Sequence, residues 1–476
     1  MTIQLETDYL IIGSGAVGMA FADVLLSETD ANIMIIDKHH KPGGHWNDAY
    51  SFVTLHQPST FYGVSSLELS SGSIAKVGPN EGLQELATGS EVMGYFDQVM
   101  RNTFLPSGRV QYFPMCEYTG DGNFHSILSD KQYQVTVNNK VVDGTYFNTS
   151  VPSTHKLAFE VAPEIEIVPL NDLPLLKTRR EGYVVVGGGK TGIDACIWLL
   201  ENHIDPDDIR WIMPRDAWLF DRKNTQSSIE FFEHSIGTQA RQLEALANAD
   251  SIDNLFERLE EIGALLRIDQ SVKPKMFHGA TISKKEIEQL RRIKNVIRMG
   301  RVTTIEKHQI ILENGVIPTN EKIIHIDCSA SAVPPRPPVT VFDGNTITVQ
   351  TVRTVQPVFS AAFIAHIEVT YPQDTPEQIA KKNLLCTLVT LPNHDTDWLR
   401  ATAGQMFNQY NWSQEPGLRE WIASNRLDGF TSLIASIDES DQQKMNILAK
   451  FKEFAMPAMA KAQQFIAELD AQAKRV

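Results

Sequence analysis

The sequence predicts an α/β protein built around two parallel-sheet units, each carrying a glycine turn between its first strand and first helix. Residues 8–37 and 183–215 both read strand, glycine-rich turn, helix, strand. The chain has 476 residues, and at roughly 150 residues per domain this length leaves room for about three structural units.

The first unit opens with Tyr9-Leu10-Ile11-Ile12 as a strand. The turn Gly13-Ser14-Gly15-Ala16-Val17-Gly18 follows, then a helix over 19–26 and a second strand over 33–36. The second unit repeats this grammar with a strand at 183–186 and the turn Gly187-Gly188-Gly189-Lys190-Thr191-Gly192. A helix over 193–200 and a strand over 210–213 complete it. Between the units, residues 132–137 and 140–142 with Asn138-Asn139 between them read as a hairpin.

Residues 224–295 are polar and read as a helical insertion, with Leu255, Leu259, Ile262 and Leu266 at helical spacing and a capping box at Ser283-Lys284-Lys285-Glu286. Strand character resumes over 300–330, with a turn at Asn314-Gly315, as the expected return to the first sheet. Residues 334–338 are Pro-rich loop, 346–358 look extended, and helical patterns dominate from Asp374. The last stretch, 442–471, is amphipathic, with Pro457 expected to kink or divide it. These patterns predict a first sheet unit over 1–175, a second with its insertion over 176–300, a return over 301–372 and a helical region over 373–476.

Composition narrows the function classes. Hydrophobic residues make up 42% and charged residues 21%, which is ordinary globular usage. A net charge of -15 has the wrong sign for a phosphate-backbone binder, so nucleic acid is not an expected partner. Cys116, Cys196, Cys328 and Cys386 stand far apart, without a disulfide framework or a dithiol motif. No apolar run reaches the length of a membrane span, and residues 1–8 do not read as a signal peptide, so the expected compartment is the cytoplasm.

Gly13, Gly15 and Gly18 satisfy the dinucleotide fingerprint in its strand-to-helix context, and Asp37 ends the second strand where a ribose hydroxyl is bound. Ser14 and Ala16 lie within the turn and Lys38 follows the acid, so they join the candidate cofactor site. Gly187, Gly189 and Gly192 form the second fingerprint, with Lys190 and Thr191 inside it. At the end of its second strand Met213-Pro214-Arg215-Asp216 replaces the usual acid. Arg215 there can pair with a 2′-phosphate, which favours NADPH over NADH, and Lys190 and Arg222 are candidates to add positive charge. His39, His40 and His45 read as solvated loop residues rather than metal ligands, and no metal site is expected.

Beyond Asp37 come Gly43-Gly44-His45-Trp46 and Leu55-His56-Gln57-Pro58-Ser59. With the order of the two fingerprints, these segments resemble the two-dinucleotide-domain flavoproteins, especially flavin-containing, Baeyer-Villiger and N-hydroxylating monooxygenases. The resemblance implies FAD at the first fingerprint, with Gly44, His45 and Trp46 beside it, and NADPH at the second. It places His56 and Gln57 in the segment approaching the isoalloxazine, where the family often carries an amide, making them the candidate catalytic residues. His155-Lys156-Leu157-Ala158-Phe159 keeps only half of an inter-domain motif of these families, and Asp327-Cys328-Ser329-Ala330 departs from their A-T-G element.

The implied activity is that of an NADPH-dependent FAD oxidoreductase. As a monooxygenase it would oxygenate a small-molecule substrate with molecular oxygen through a hydroperoxyflavin. A flavoprotein reductase without oxygen insertion and a non-catalytic binding protein on the same fold stay open.

Overall fold

A computed structural model describes residues 2–334 and 336–473. Its first sheet runs in the order Phe342–Asp343, Thr346–Thr348, Gln132–Asp143, Ile3–Ile12, Ile33–Ile36, Val110–Phe113. From Thr346–Thr348 to Val110–Phe113 neighbouring strands are parallel. Leu10, Ile11, Met34 and Ile35 are wholly buried, as expected of parallel strands covered on both faces. The helices Ala16–Glu28 and Pro357–Thr370 pack on one face, and an antiparallel arm of Cys116–Gly120 and Asn123–Ser126 covers the other.

Gln132–Asp143 is one continuous strand, not a hairpin. Both halves pair in parallel with Ile3–Ile12, and the register slips between Thr7 and Tyr9. Asn138-Asn139 is absorbed at that irregularity, where Asn138 donates to Glu6 and Asp8, so a turn-forming pair is taken up as a bulge.

The second sheet, Asn295–Ile297, Ile209–Ile212, Gly182–Val186, Ile323–Asp327, Ile167–Pro169, is parallel throughout. Ile323–Asp327 therefore stays with this sheet instead of returning to the first. It is buried along its whole length between two partners, and the chain regains the first sheet only at Phe342–Asp343. The Asn314-Gly315 turn joins Gln309–Leu312 to Gly315–Pro318 as an antiparallel hairpin.

The insertion contains the helices Phe232–Ala247, Ile252–Glu261 and Lys284–Leu290, the last with the Ser283/Glu286 capping box. Its strands Leu265–Leu266 and Met276–Ile282 flank Ala217–Asp221, which precedes the insertion, in a three-stranded sheet. Gln442–Ala473 forms a single helix that includes Pro457, so the proline does not divide it. This helix packs on Phe232–Ala247 and on Asp397–Gln414. Trp218, Phe256, Trp398 and Phe465 share one core, which makes the C-terminal helices part of the wall around the insertion. No helix among the described residues is long and apolar enough to cross a membrane.

Candidate functional site

At the first turn Gly13 has φ +96, and a Cβ there would lie 2.8 Å from Thr145 Cγ2. A Cβ on Gly18 would stand 2.0 Å from the Gly13 carbonyl oxygen, so only glycine lets the helix pack this close to the turn. Gly15 faces Gly44, whose own Cβ would come within 2.9 Å of the Gly15 Cα. The Gly43 N–H donates to the Ser14 carbonyl at 2.9 Å. The Gly43-Gly44 bend thus lies directly on the turn. Ala16–Glu28 begins without a side-chain cap and with no acid in its first turn, which leaves N–H donors and the positive helix end for an anion.

Asp37 is buried at the end of Ile33–Ile36. Its carboxylate accepts from Ser14 N at 2.5 Å, Ser14 Oγ at 2.9 Å and His39 N at 2.7 Å, and lies 2.8 Å from His39 Nδ1. Burial alone would raise its pKa, but the bonds from His39 and Ser14 outweigh it and hold the carboxyl below its ordinary value. His39 is therefore not the solvated loop histidine expected. Its Nε2 lies 3.0 Å from Asp48, and its bond to Asp37 leads the causes that raise its pKa. Lys38 and His40 are exposed. His45 stacks on Trp46 with 5.4 Å between ring centroids, and burial, with the charge of His39 added, pushes its imidazole down to about 4. Trp46 donates to Tyr62 Oη at 2.8 Å.

At the second turn a Cβ on Gly187 would meet the Cys328 carbonyl oxygen at 2.3 Å, and one on Gly192 the Gly187 oxygen at 2.1 Å. A Cβ on Gly189 would meet nothing within 4 Å. This is the open face of the turn, and Lys190–Glu201 again starts without a side-chain cap or an acid in its first turn. Lys190 pairs with Asp194, which also accepts from Tyr50 Oη at 2.6 Å. Thr191 lies in the first turn of the same helix.

Arg215 donates to Asn393 Oδ1 at 2.9 Å, and His278 Nε2 lies 3.0 Å from the same oxygen. Burial and the nearby Arg301 lower the Arg215 pKa. Asp216, the neighbouring carboxylate, is taken by Arg298 through two bonds of 2.8 and 3.0 Å, and Arg298 also pairs with Asp269 at 3.1 Å. Among the described residues no carboxylate pairs with Arg215. Arg222, a candidate for the same positive pocket, is buried instead. It is held by Glu286, Asn80 and the carbonyls of His56 and Thr281, which spends its charge inside the protein.

The segment carrying His56 and Gln57 runs between the two units. His56 is half-buried, and desolvation, with Lys190 and Arg222 nearby, holds its pKa well below the ordinary value, so its ring is neutral near pH 7. Gln57 lines a cavity of about 400 Å³. The insertion and the strand before it contribute Phe220, Phe277 and Leu243 to the wall, and the C-terminal helices add Trp398, Met406 and Phe451.

Arg426 clamps the segment that follows by donating to the carbonyls of Thr60, Tyr62, Val64 and Leu67. Asp428, two residues on, pairs with Arg353 at the cavity wall. Arg426, Arg353 and Asp428 carry no motif and were not legible in the sequence.

A family model described as an NAD(P)-binding Rossmann-like domain matches residues 11–65, the span of the first turn and the Gly43-Gly44 bend. The uncharacterized protein Rv2000 of Mycobacterium tuberculosis is 46% identical over 94% of this chain and 82% of its own length. The uncharacterized oxidoreductase CzcO of Bacillus subtilis is 21% identical over 41% of this chain and 53% of its own. Among solved structures, the open form of cyclohexanone monooxygenase superposes with a TM-score of 0.51 at 11% identity, covering 86% of this chain and 97% of that one. The chain belongs to the family of the uncharacterized mycobacterial protein Rv2000, and its fold is the one seen in cyclohexanone monooxygenase.

Proposed function

We propose that the protein is an NADPH-dependent FAD monooxygenase acting on a small molecule. The observation that carries this reading is the pairing of two uncapped, acid-free helix N-termini, at Gly15 and Gly189, with a cavity that Gln57 lines. FAD would be held by the turn at Gly13, Gly15 and Gly18, with Asp37 toward a ribose and the Gly43-Gly44 bend alongside. NADPH would be held by Gly187, Gly189 and Gly192, with Arg215 on the 2′-phosphate. The chemistry FAD supplies when bound is acceptance of a hydride and delivery of the electrons to oxygen.

The chain's own groups then have definite tasks. The two helix ends neutralise pyrophosphate charge. Arg215, kept free of Asp216 by Arg298, selects the phosphorylated coenzyme. His56, neutral and half-buried, offers one ring donor and one acceptor without adding a cation. The Gln57 amide can donate to an oxygen atom at the cavity wall and accept from a hydroxyl, while the aromatic lining excludes water.

The test is to bleach the purified yellow protein anaerobically with NADPH, then admit oxygen with and without amine, sulfide and ketone panels. Flavin reduction followed by substrate-dependent oxygen incorporation is expected. Reduction without any incorporation would move the protein to the reductase reading, and absence of flavin would remove both.

A further inference from the structure

The cavity at Gln57 is bounded by two helices facing one another, and the chemistry of its wall restricts what it can hold. From Phe232–Ala247 come Gln239 and Gln242, three residues apart on one face. From Asp397–Gln414 come Gln405 and Gln409, four residues apart on one face. With Gln57 these make five of the seven side-chain amides lining the space. The other two, Asn224 and Gln356, are already hydrogen-bonded, whereas none of the five is engaged by a side-chain hydrogen bond among the described residues. Each amide offers two donor hydrogens and an acceptor oxygen.

The charges at the wall already have partners, Asp221 the more loosely. Arg353 pairs with Asp428, which also accepts from the N–H groups of Phe430 and Thr431. Asp221 accepts from Lys223 N at 3.0 Å and lies 3.7 Å from Lys284 Nζ. No lysine, histidine or glutamate belongs to the lining. A carboxylate entering this space would find its one lining cation, Arg353, already paired with Asp428, and an ammonium would have to displace the groups that Asp221 and Asp428 already hold, so an ion of either sign gives up hydration for little return. Flat apolar surface from Phe61, Phe220, Phe277 and Trp398 fills much of the remaining wall, and the volume of about 400 Å³ lies within the range for drug-sized ligands.

We infer that this cavity is the substrate site and that it takes an uncharged molecule, a flat apolar ring system bearing amide, carbonyl or hydroxyl groups at its edge, in preference to an amine or a carboxylate. The inference rests on the proposed oxidoreductase reading only in calling the bound molecule a substrate; the selectivity follows from the wall itself. It narrows the candidate panels to neutral ketones, amides and hydroxylated rings.

Isothermal calorimetry on the purified full-length protein tests it with three probes that share one ring: indole-3-acetamide, indole-3-acetate and tryptamine. The amide is expected to bind at least about tenfold more tightly than either charged congener. The Gln242→Leu and Gln405→Leu variants are expected to weaken the amide by about fivefold to tenfold. Their melting temperatures and flavin content, measured alongside, separate a lost contact from a lost fold. Tighter binding of the acetate or of tryptamine, amide binding that both glutamine variants leave unaltered, or no binding by any of the three would overturn the inference. Calorimetry does not depend on flavin chemistry, so a protein that binds the amide selectively yet shows no NADPH-dependent flavin reduction would refute the oxidoreductase reading and leave the neutral-ligand site standing.

Discussion

Arg298 closes on Asp216 with two parallel bonds, Nε to Oδ2 at 2.8 Å and Nη2 to Oδ1 at 3.0 Å, and this turns the carboxylate beside Arg215 away from the role it would otherwise play. An unpaired acid at the end of that strand would repel a 2′-phosphate and favour a bare ribose. Arg215→Ala is expected to weaken NADPH by about 1.5–3 kcal/mol, the scale of a hydrogen bond to a charged group, and to leave NADH nearly unchanged. Arg298→Met should shift preference in the same direction by freeing Asp216. Coenzyme titrations read both, and equal losses for the two coenzymes would give Arg215 another role.

The two helix-opening glycines of the second turn separate ligand binding from folding. Gly189→Ala puts a methyl group into open space, so stability should fall by no more than about 1 kcal/mol, the scale of an N-cap substitution. The methyl still obstructs the approach of a pyrophosphate, and NADPH affinity should drop at least about tenfold. Gly192→Ala would drive its Cβ into the Gly187 carbonyl at 2.1 Å and should lower the melting temperature outright. A Gly189→Ala protein with native NADPH affinity would sink the assignment of the second turn.

His39 bridges Asp37 and Asp48, and its pKa is raised above the ordinary 6.5 by the Asp37 bond first. A base with a raised folded-state pKa adds stability that is complete below its unfolded value and is lost as pH rises through the folded one. The melting temperature of His39→Gln should therefore fall furthest behind the parent near pH 6 and approach it near pH 9. Asp37, whose pKa is lowered, sets the acid limit of this contribution, which is lost as pH falls through the depressed value. A gap that stays constant across this range would mean that His39 acts through packing alone.

Gln57→Leu keeps the approximate volume of the side chain and removes its donor and acceptor. The variant should still be reduced by NADPH while releasing more hydrogen peroxide per NADPH consumed, because a hydrophobic group cannot hydrogen-bond an oxygen atom at the cavity wall. Peroxide and coenzyme assays on parent and variant measure this ratio. Unchanged coupling would take Gln57 out of the reacting region.

The two strand–turn–helix units, the glycines that allow them and the acid at residue 37 were legible because each rests on interactions within about thirty residues, where periodicity and φ requirements speak directly. The capping box at Ser283 and the Asn314-Gly315 turn were readable for the same reason. Asn138-Asn139 misled because a turn-forming pair and a bulge share one local composition, and only the parallel partner Ile3–Ile12 distinguishes them. Ile323–Asp327 is apolar enough for either sheet, and the choice was made by its pairing with both Gly182–Val186 and Ile167–Pro169. Arg298 neutralises an acid 82 residues away, and glutamines from two helices more than 150 residues apart in sequence line one cavity. Motif and composition are properties of neighbours along the chain, whereas charge pairing and cavity walls are properties of neighbours in space. The sequence by itself therefore determined the nucleotide-binding grammar, and the tertiary path of the chain decided which charges remain free and what the cavity can hold.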